Sequence, residues 1–249
     1  MRTRRRQATG TATPQVRRHE EEAATMRVVL AGAHGKVGIR LGTLLARRRD
    51  EVVGIIRNPA HAADLEAVGV QPAVLDLEHA DVDEVSDLLA DSDAAVFSAG
   101  AGPGSGVARK DTVDRGAAVL LAAAAEQART RRFLQVSSMG VESVRGGATP
   151  EGVDEVFVAY LRAKLAAEED LRQRDLDWTI LRPGRLTDDP GTGRVRLAPR
   201  VDRGSVSRDD VAAVLAALLD TPATAGMVLE LVGGEEPIED AVARVAREG

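Results

Sequence analysis

Hydrophobic positions in this chain fall into short β-branched runs separated by longer stretches of helical period. From Met26 onward, apolar runs occupy Arg27–Ala31, Val52–Ile56, Val70–Leu75, Ala94–Ser98, Phe133–Val136 and Trp178–Leu181. Between them lie helical patterns at Lys36–Arg49, Ala60–Val68, Val82–Leu89, Ala108–Ala128 and Val156–Arg174. The runs have strand length, and their near-continuous apolar character suits strands covered on both faces. Their alternation with helices predicts βαβ units, and so an α/β fold with a doubly wound parallel sheet and helices on both faces.

After Pro183 the pattern changes. Asp188–Gly193 is a turn cluster, Ser207–Leu219 a helix with Ser207 as its N-cap, Met227–Val232 a strand and Ile238–Arg247 a terminal helix. This is too little for an independent domain. Residues 26–249 therefore form one domain, with 184–249 expected as a small cap over the open end of the sheet, where such folds bind ligands.

The first strand runs into Gly32-Ala33-His34-Gly35-Lys36-Val37-Gly38, a Gly-x-x-Gly-x-x-Gly turn that opens the first helix. In a Rossmann-type βαβ unit the first glycine permits the tight turn. The second lets the backbone approach a pyrophosphate, and the third lets helix and strand pack closely. The helix N-terminus then offers free N–H groups to the phosphates. His34, Lys36 and Val37 share this cradle, with Lys36 adding a point charge. The alternative is a glycine-rich turn without a ligand, and the strand–turn–helix context argues against it.

At the end of the second strand stands Arg57, 19 positions after Gly38, and residues 52–63 contain no acid. Folds of this kind that bind NAD usually place an acid there for the ribose 2′-hydroxyl. A guanidinium matches a 2′-phosphate instead, so NADP(H) is expected over NAD(H). The alternative is a solvated surface arginine.

Composition narrows the rest. Aromatic residues make up 2% of the chain, so the core is built from Ala, Val, Leu and Ile. The absence of cysteine excludes disulfides, thiol catalysis and cysteine-based zinc sites, and it fits a cytoplasmic protein. No metal site is read from the sequence. Residues 1–25 hold six Arg and three Glu without apolar periodicity, so they are expected to be a disordered tail, or to precede a true start at Met26. Residues 26–249 carry a net charge of −9, which argues against a nucleic-acid partner. No apolar run approaches the ~20 residues of a membrane span. A small-molecule substrate is expected, acted on by a monomer or a homodimer.

These motifs resemble the short-chain dehydrogenase/reductase superfamily, in particular its atypical NAD(P)-binding, epimerase/dehydratase-like members. The resemblance runs from about Met26 to the C-terminus. It includes Val74-Leu75-Asp76-Leu77, Phe97-Ser98-Ala99-Gly100, Phe133-Leu134-Gln135-Val136-Ser137-Ser138, Tyr160-Leu161-Arg162-Ala163-Lys164 and Trp178-Thr179-Ile180-Leu181-Arg182-Pro183-Gly184. It implies Asp76 and Leu77 near the adenine, and Ala99, Gly100, Ser137, Lys164, Pro183 and Gly184 along the rest of the cofactor. His34 departs from the threonine common at its position.

The resemblance also implies a catalytic set. Ser138, Tyr160 and Lys164 match the Ser and Tyr-x-x-x-Lys of active members. Residues four apart share a helix face, so the ammonium can sit beside the phenol and favour its ionised form. Tyr160, the only tyrosine, would then pass a proton to a carbonyl oxygen that Ser138 also holds, with Lys164 on the nicotinamide ribose. Where such enzymes carry Asn on the preceding helix, this chain has Asp114, as atypical members commonly do. Asp114 is expected to orient water or cap a kinked helix; the alternative is a solvated acid paired with Arg115 or Lys110. The glycine-rich stretch Val141–Asp154 is expected to be mobile, as a substrate lid or an ordinary loop. It has no aromatic residue, which does not favour a flavin or tetrapyrrole substrate.

These residues are compatible with three functions. One is an NADP(H)-dependent oxidoreductase of a small carbonyl or quinone-like compound, or an epimerase/dehydratase using the same cofactor. The second is a non-catalytic NADP(H)-sensing protein. The third, a nucleic-acid binder, is disfavoured by the acidic body.

Overall fold

The computed structural model describes residues 25–102 and 104–249. The tail expected over residues 1–25 lies outside them but for Thr25. The elements in chain order are β1 (Arg27–Ala31), α1 (Lys36–Arg47), β2 (Glu51–Ile56), α2 (Ala62–Glu66), β3 (Gln71–Val74), α3 (Val82–Leu89) and β4 (Ala94–Phe97). Then come α4 (Val107–Arg109), a π-helix (Lys110–Ala117) that runs into α5 (Ala118–Ala128), β5 (Arg132–Val136), α6 (Glu155–Leu171) and β6 (Asp177–Pro183). The chain finishes with β7 (Arg185–Thr187), β8 (Arg194–Ala198), β9 (Ser205–Ser207), α7 (Arg208–Leu219), β10 (Met227–Gly233), β11 (Glu236–Pro237) and α8 (Ile238–Glu248).

The main sheet has the order β11-β8-β10-β6-β5-β4-β1-β2-β3. It is parallel from β3 to β10, and β8 and β11 add an antiparallel edge. The direction of strand addition reverses between β1 and β4. At such a switch point the crossover helices leave to opposite faces and open a crevice at the carboxyl ends of the strands.

Alternate side chains of each strand feed opposite cores. Val28 and Leu30 point to the face covered by Leu41 and Leu45 of α1 and Val211, Leu215 and Leu218 of α7. Val29 and Ala31 point to the face of Val85 and Leu89 of α3, Leu121 and Ala125 of α5, and Leu171 of α6. Both layers are aliphatic, with Phe97 and Phe133 as the two large buried aromatics.

The segment after Pro183 does two things. β10, β8 and β11 lengthen the main sheet, and α7 packs against α1. β7 and β9 pair as a separate two-stranded sheet, and Asp188 in the following turn reaches Lys36 at the start of α1 with 2.6 Å between Oδ2 and Nζ. This second part follows directly from the carboxyl end of β6. Ser207 caps α7, its hydroxyl oxygen accepting from the Asp210 N–H at 3.0 Å. No described helix is long and apolar enough to cross a membrane.

Candidate functional site

A cleft of about 330 Å³ opens at the switch point, lined by the Gly32–Gly35 turn, the ends of β2 and β3, and Ser98–Gly100. Its glycines are steric requirements. Gly32 has φ +80°, and a Cβ there would lie 2.6 Å from the backbone of Ala99. A Cβ on Gly38 would lie 2.2 Å from the Gly32 carbonyl oxygen. Gly35 is the N-cap of α1 with no side-chain cap, so the first N–H groups of that helix keep their donors for a ligand.

The structure brings Gly32, His34, Gly35, Arg57, Asp76, Leu77, Ala99 and Gly100 to this cleft. Val37 and Gly38 are buried behind the turn. Lys36 lies outside the lining of the cleft, and its ammonium pairs with Asp188, both side chains being exposed. The rings of His34 and His61 stack with centroids 3.7 Å apart, and His34 Nε2 lies 2.8 Å from Asp64 Oδ2.

An acid does stand beside Arg57. Glu78 arrives from the loop after β3, and its Oε2 accepts from Arg57 Nη1 at 2.8 Å and from Arg109 Nη2 at 2.7 Å. The acid comes from the next crossover, 21 residues along the chain from Arg57, so inspecting 52–63 could not reveal it.

None of the four candidate catalytic residues lines the cleft, and two of them, Asp114 and Lys164, stand behind its 99–101 wall. Asp114 and Lys164 are buried and paired, with 3.3 Å between Oδ1 and Nζ. Asp114 Oδ2 accepts from the Ala101 N–H at 3.2 Å, and Lys164 Nζ donates to the carbonyls of Ala99 and Val136 at 3.2 Å each. The pair thus fixes the 99–101 wall against the end of β5. This overturns the solvated alternative for Asp114: the π-helix turns it inward, while Arg115 bonds Asp111 instead.

Tyr160 is half-buried on α6, with the Lys164 ammonium 5.9 Å from its ring centroid. A second ammonium, that of Lys110, is closer at 5.3 Å and also donates to the Gly102 carbonyl at 2.9 Å. Sequence reasoning weighed Lys110 only as a partner for Asp114. Among the described residues nothing hydrogen-bonds the Tyr160 hydroxyl. Ser138 Oγ donates to the Met139 carbonyl at 3.1 Å, and Ser138 is half-buried like Tyr160.

Beneath Ser138 lies a buried polar network that no motif suggests. Ser137 Oγ donates to Glu168 Oε1 at 2.5 Å, and Arg182 clasps both oxygens of Glu168 at 2.9 and 2.5 Å. The same Nη2 of Arg182 that meets Glu168 Oε2 also donates to Glu142 Oε1 at 2.7 Å. The stretch expected to be mobile is therefore anchored in its first half: Val141–Gly147 forms a 3-10 turn, with Val141 and Val144 packed against α6. Pro183 is buried and Gly184 half-buried beside this network, outside the lining of the cleft.

Bonds from Arg145 and Arg182 hold the Glu142 carboxyl down at about 2, against some burial. A depressed carboxyl contributes stability that is complete above its ordinary value near 4.5 and is lost as pH falls toward 2. The full shift is worth about 3 kcal/mol, and one-third exposure of the side chain reduces its usable part to about 1 kcal/mol. Glu142→Gln should therefore lower the urea midpoint at pH 7 and flatten its fall between pH 5 and pH 3. A wild-type acid limb in the variant would refute this.

The cleft fits a dinucleotide on three observations: backbone approaches that any Cβ would block, an uncapped helix N-terminus, and a guanidinium, that of Arg109, whose buried Nε has no partner among the described residues. The profile of the NAD(P)H-binding family matches residues 32–222. The uncharacterised sugar epimerase YhfK of Bacillus subtilis is 34% identical over 88% of this chain and 100% of its own length. A solved structure from Bacillus halodurans, provisionally assigned as an NAD-dependent epimerase/dehydratase, superposes with a TM-score of 0.80 at 34% identity, covering 88% of this chain and 99% of that one. ChuY, an anaerobilin reductase from Escherichia coli O157:H7, does so with a TM-score of 0.71 at 30% identity, covering 83% and 97%. The chain belongs to the NAD(P)H-binding family, among the atypical short-chain dehydrogenase/reductases.

Proposed function

We propose that this chain is an NADP(H)-dependent reductase of a small carbonyl or quinone-like compound. The observation that carries the reading is Tyr160 one helical turn from Lys164 on α6, with the Lys164–Asp114 pair backing the cleft wall at Ala99. The turn at Gly32–Gly38 and the α1 N-terminus would hold the pyrophosphate, and Arg57 the 2′-phosphate. Asp76 and Leu77 would flank the adenine. The bound cofactor supplies a hydride. Tyr160 supplies the proton to the substrate oxygen, Ser138 turns its hydroxyl from Met139 to that oxygen, and Lys164 keeps the wall in place. The name of ChuY supports a reductase; that of YhfK supports an epimerase working with the same cofactor.

A second reading is a non-catalytic NADP(H)-binding protein. It is favoured by the commitment of the Lys164 ammonium to Asp114 and two carbonyls, with nothing linking Ser138 to Tyr160 among the described residues. Titration with NADPH and NADH, followed by NADPH oxidation against carbonyls and quinones, tests both. The reductase reading expects tighter NADPH binding and turnover of at least one compound. NADPH binding without turnover selects the second reading, and NADH binding as tightly as NADPH removes the assignment of Arg57.

A further inference from the structure

Glu78 joins three parts of the chain that sequence keeps apart. Its Oε2 takes hydrogen bonds from Arg57 at the end of β2 and from Arg109 at the end of α4, and its Oε1 takes one from the Thr112 hydroxyl at 2.6 Å on the π-helix. The Glu78 side chain is 17% exposed, while Arg57 and Arg109 keep about half their surface open, at 52% and 42%. The Thr112 bond and the Arg109 charge hold the Glu78 carboxyl below the usual range, against burial, so it stands there as an anion.

Two guanidiniums around one carboxylate leave several N–H donors unspent, with Asp76 as a second acid on the same cleft. One of them is the buried Arg109 Nε, which has no partner among the described residues. Arg57, Glu78 and Arg109 all line the cleft. Arginine pairs recognise carboxylates and phosphates through the same fork, and a phosphate monoester brings more charge and one more acceptor oxygen.

We propose that Glu78 sets the cofactor preference of this site: it occupies the anion position between Arg57 and Arg109, so that a 2′-phosphate must displace it, and Arg109 is the second arginine of the phosphate clamp. The inference rests on the reading of the cleft as a dinucleotide site. Glu78 opposes a phosphorylated ribose by charge and by occupying donors. It does not oppose a ribose with a free 2′-hydroxyl, whose proton a carboxylate can accept. The clamp therefore discriminates less sharply than two free arginines would.

The test is fluorescence titration of the full-length chain with NADPH and NADH, with 2′,5′-ADP and 5′-AMP as competitors that carry or lack the phosphate. Glu78→Gln keeps the side-chain shape and the contact with Thr112 but removes the charge. It should raise affinity for NADPH and 2′,5′-ADP about tenfold, the worth of one charge-assisted hydrogen bond, and leave or weaken that for NADH and 5′-AMP. Arg109→Met should lower affinity for NADPH and 2′,5′-ADP about tenfold and spare NADH. The opposite directions exclude misfolding as a common cause, since misfolding lowers all four. An unchanged NADPH-to-NADH ratio in both variants overturns the inference, as does weaker NADPH binding by Glu78→Gln. The wild-type ratio reports separately on the NADP(H) reading. A wild type without preference that gains one in Glu78→Gln would retain the inference while removing that reading.

Discussion

Gly38→Ala should abolish measurable cofactor binding, a loss of at least about 100-fold, and lower stability by about 2–4 kcal/mol. The added Cβ would meet the Gly32 carbonyl oxygen at 2.2 Å and the Gly32 carbonyl carbon and Ala33 Cα at 3.0 Å. All three are backbone atoms, so no rotamer change relieves the overlap. The same Gly32 oxygen accepts the Gly35 N–H at 2.9 Å, the bond that closes the turn. Relief therefore requires either opening the turn or lifting α1 from β1, and both move the N–H groups expected to meet a pyrophosphate. Gly42→Ala in the same helix is the matching control. There the close contact is Val70 Cγ2 at 2.7 Å, a core side-chain atom outside the lining of the cleft, and alanine gains helix propensity of about 1 kcal/mol over glycine. It should bind NADPH within about twofold of wild type. Binding titrations and urea unfolding of both variants check the contrast, and near-wild-type binding by Gly38→Ala would remove the turn from the site.

What could be read along the chain was whatever depends on neighbours in sequence. The two faces of β1, the glycine turn and the Ser207 cap are local patterns, and each appears where its period or spacing places it. The strands β7, β8 and β9 were missed because they are short and lie outside the parallel βαβ repeat, and β8 alternates exposed arginines with buried Val195 and Leu197. The site was less legible because its charges pair across crossovers. Lys36 finds Asp188, Arg57 finds Glu78, and Asp114 finds Lys164. In each case the partner belongs to a different element or connection far along the chain, so only the tertiary fold makes them neighbours. Asp114 in fact shares the helical face of the buried Ala118, Leu121 and Ala125, but a charged residue among them reads as buried only once its partner Lys164 is known.

Tyr160→Phe separates the enzyme from the binding protein. The ring of Tyr160 packs against Phe157, with centroids 5.7 Å apart, and beside the ammonium groups of Lys110 and Lys164. Phenylalanine keeps these ring contacts and removes one hydroxyl, so folding and NADPH affinity should stay within about twofold of wild type. If that hydroxyl passes the proton, kcat should fall by about 100-fold or more on whichever panel compound the wild type reduces. Lys164→Met provides the contrast. It leaves Asp114 buried without its ammonium, and breaking a buried pair costs about 3–5 kcal/mol. It also frees the Ala99 and Val136 carbonyls that now hold the cleft wall. Its losses should therefore appear in stability and NADPH affinity as well as in rate. Loss of rate without loss of binding or stability in Tyr160→Phe assigns the proton to the phenol. Equal rates in Tyr160→Phe and wild type would place the proton donor elsewhere and leave Tyr160 as packing for α6.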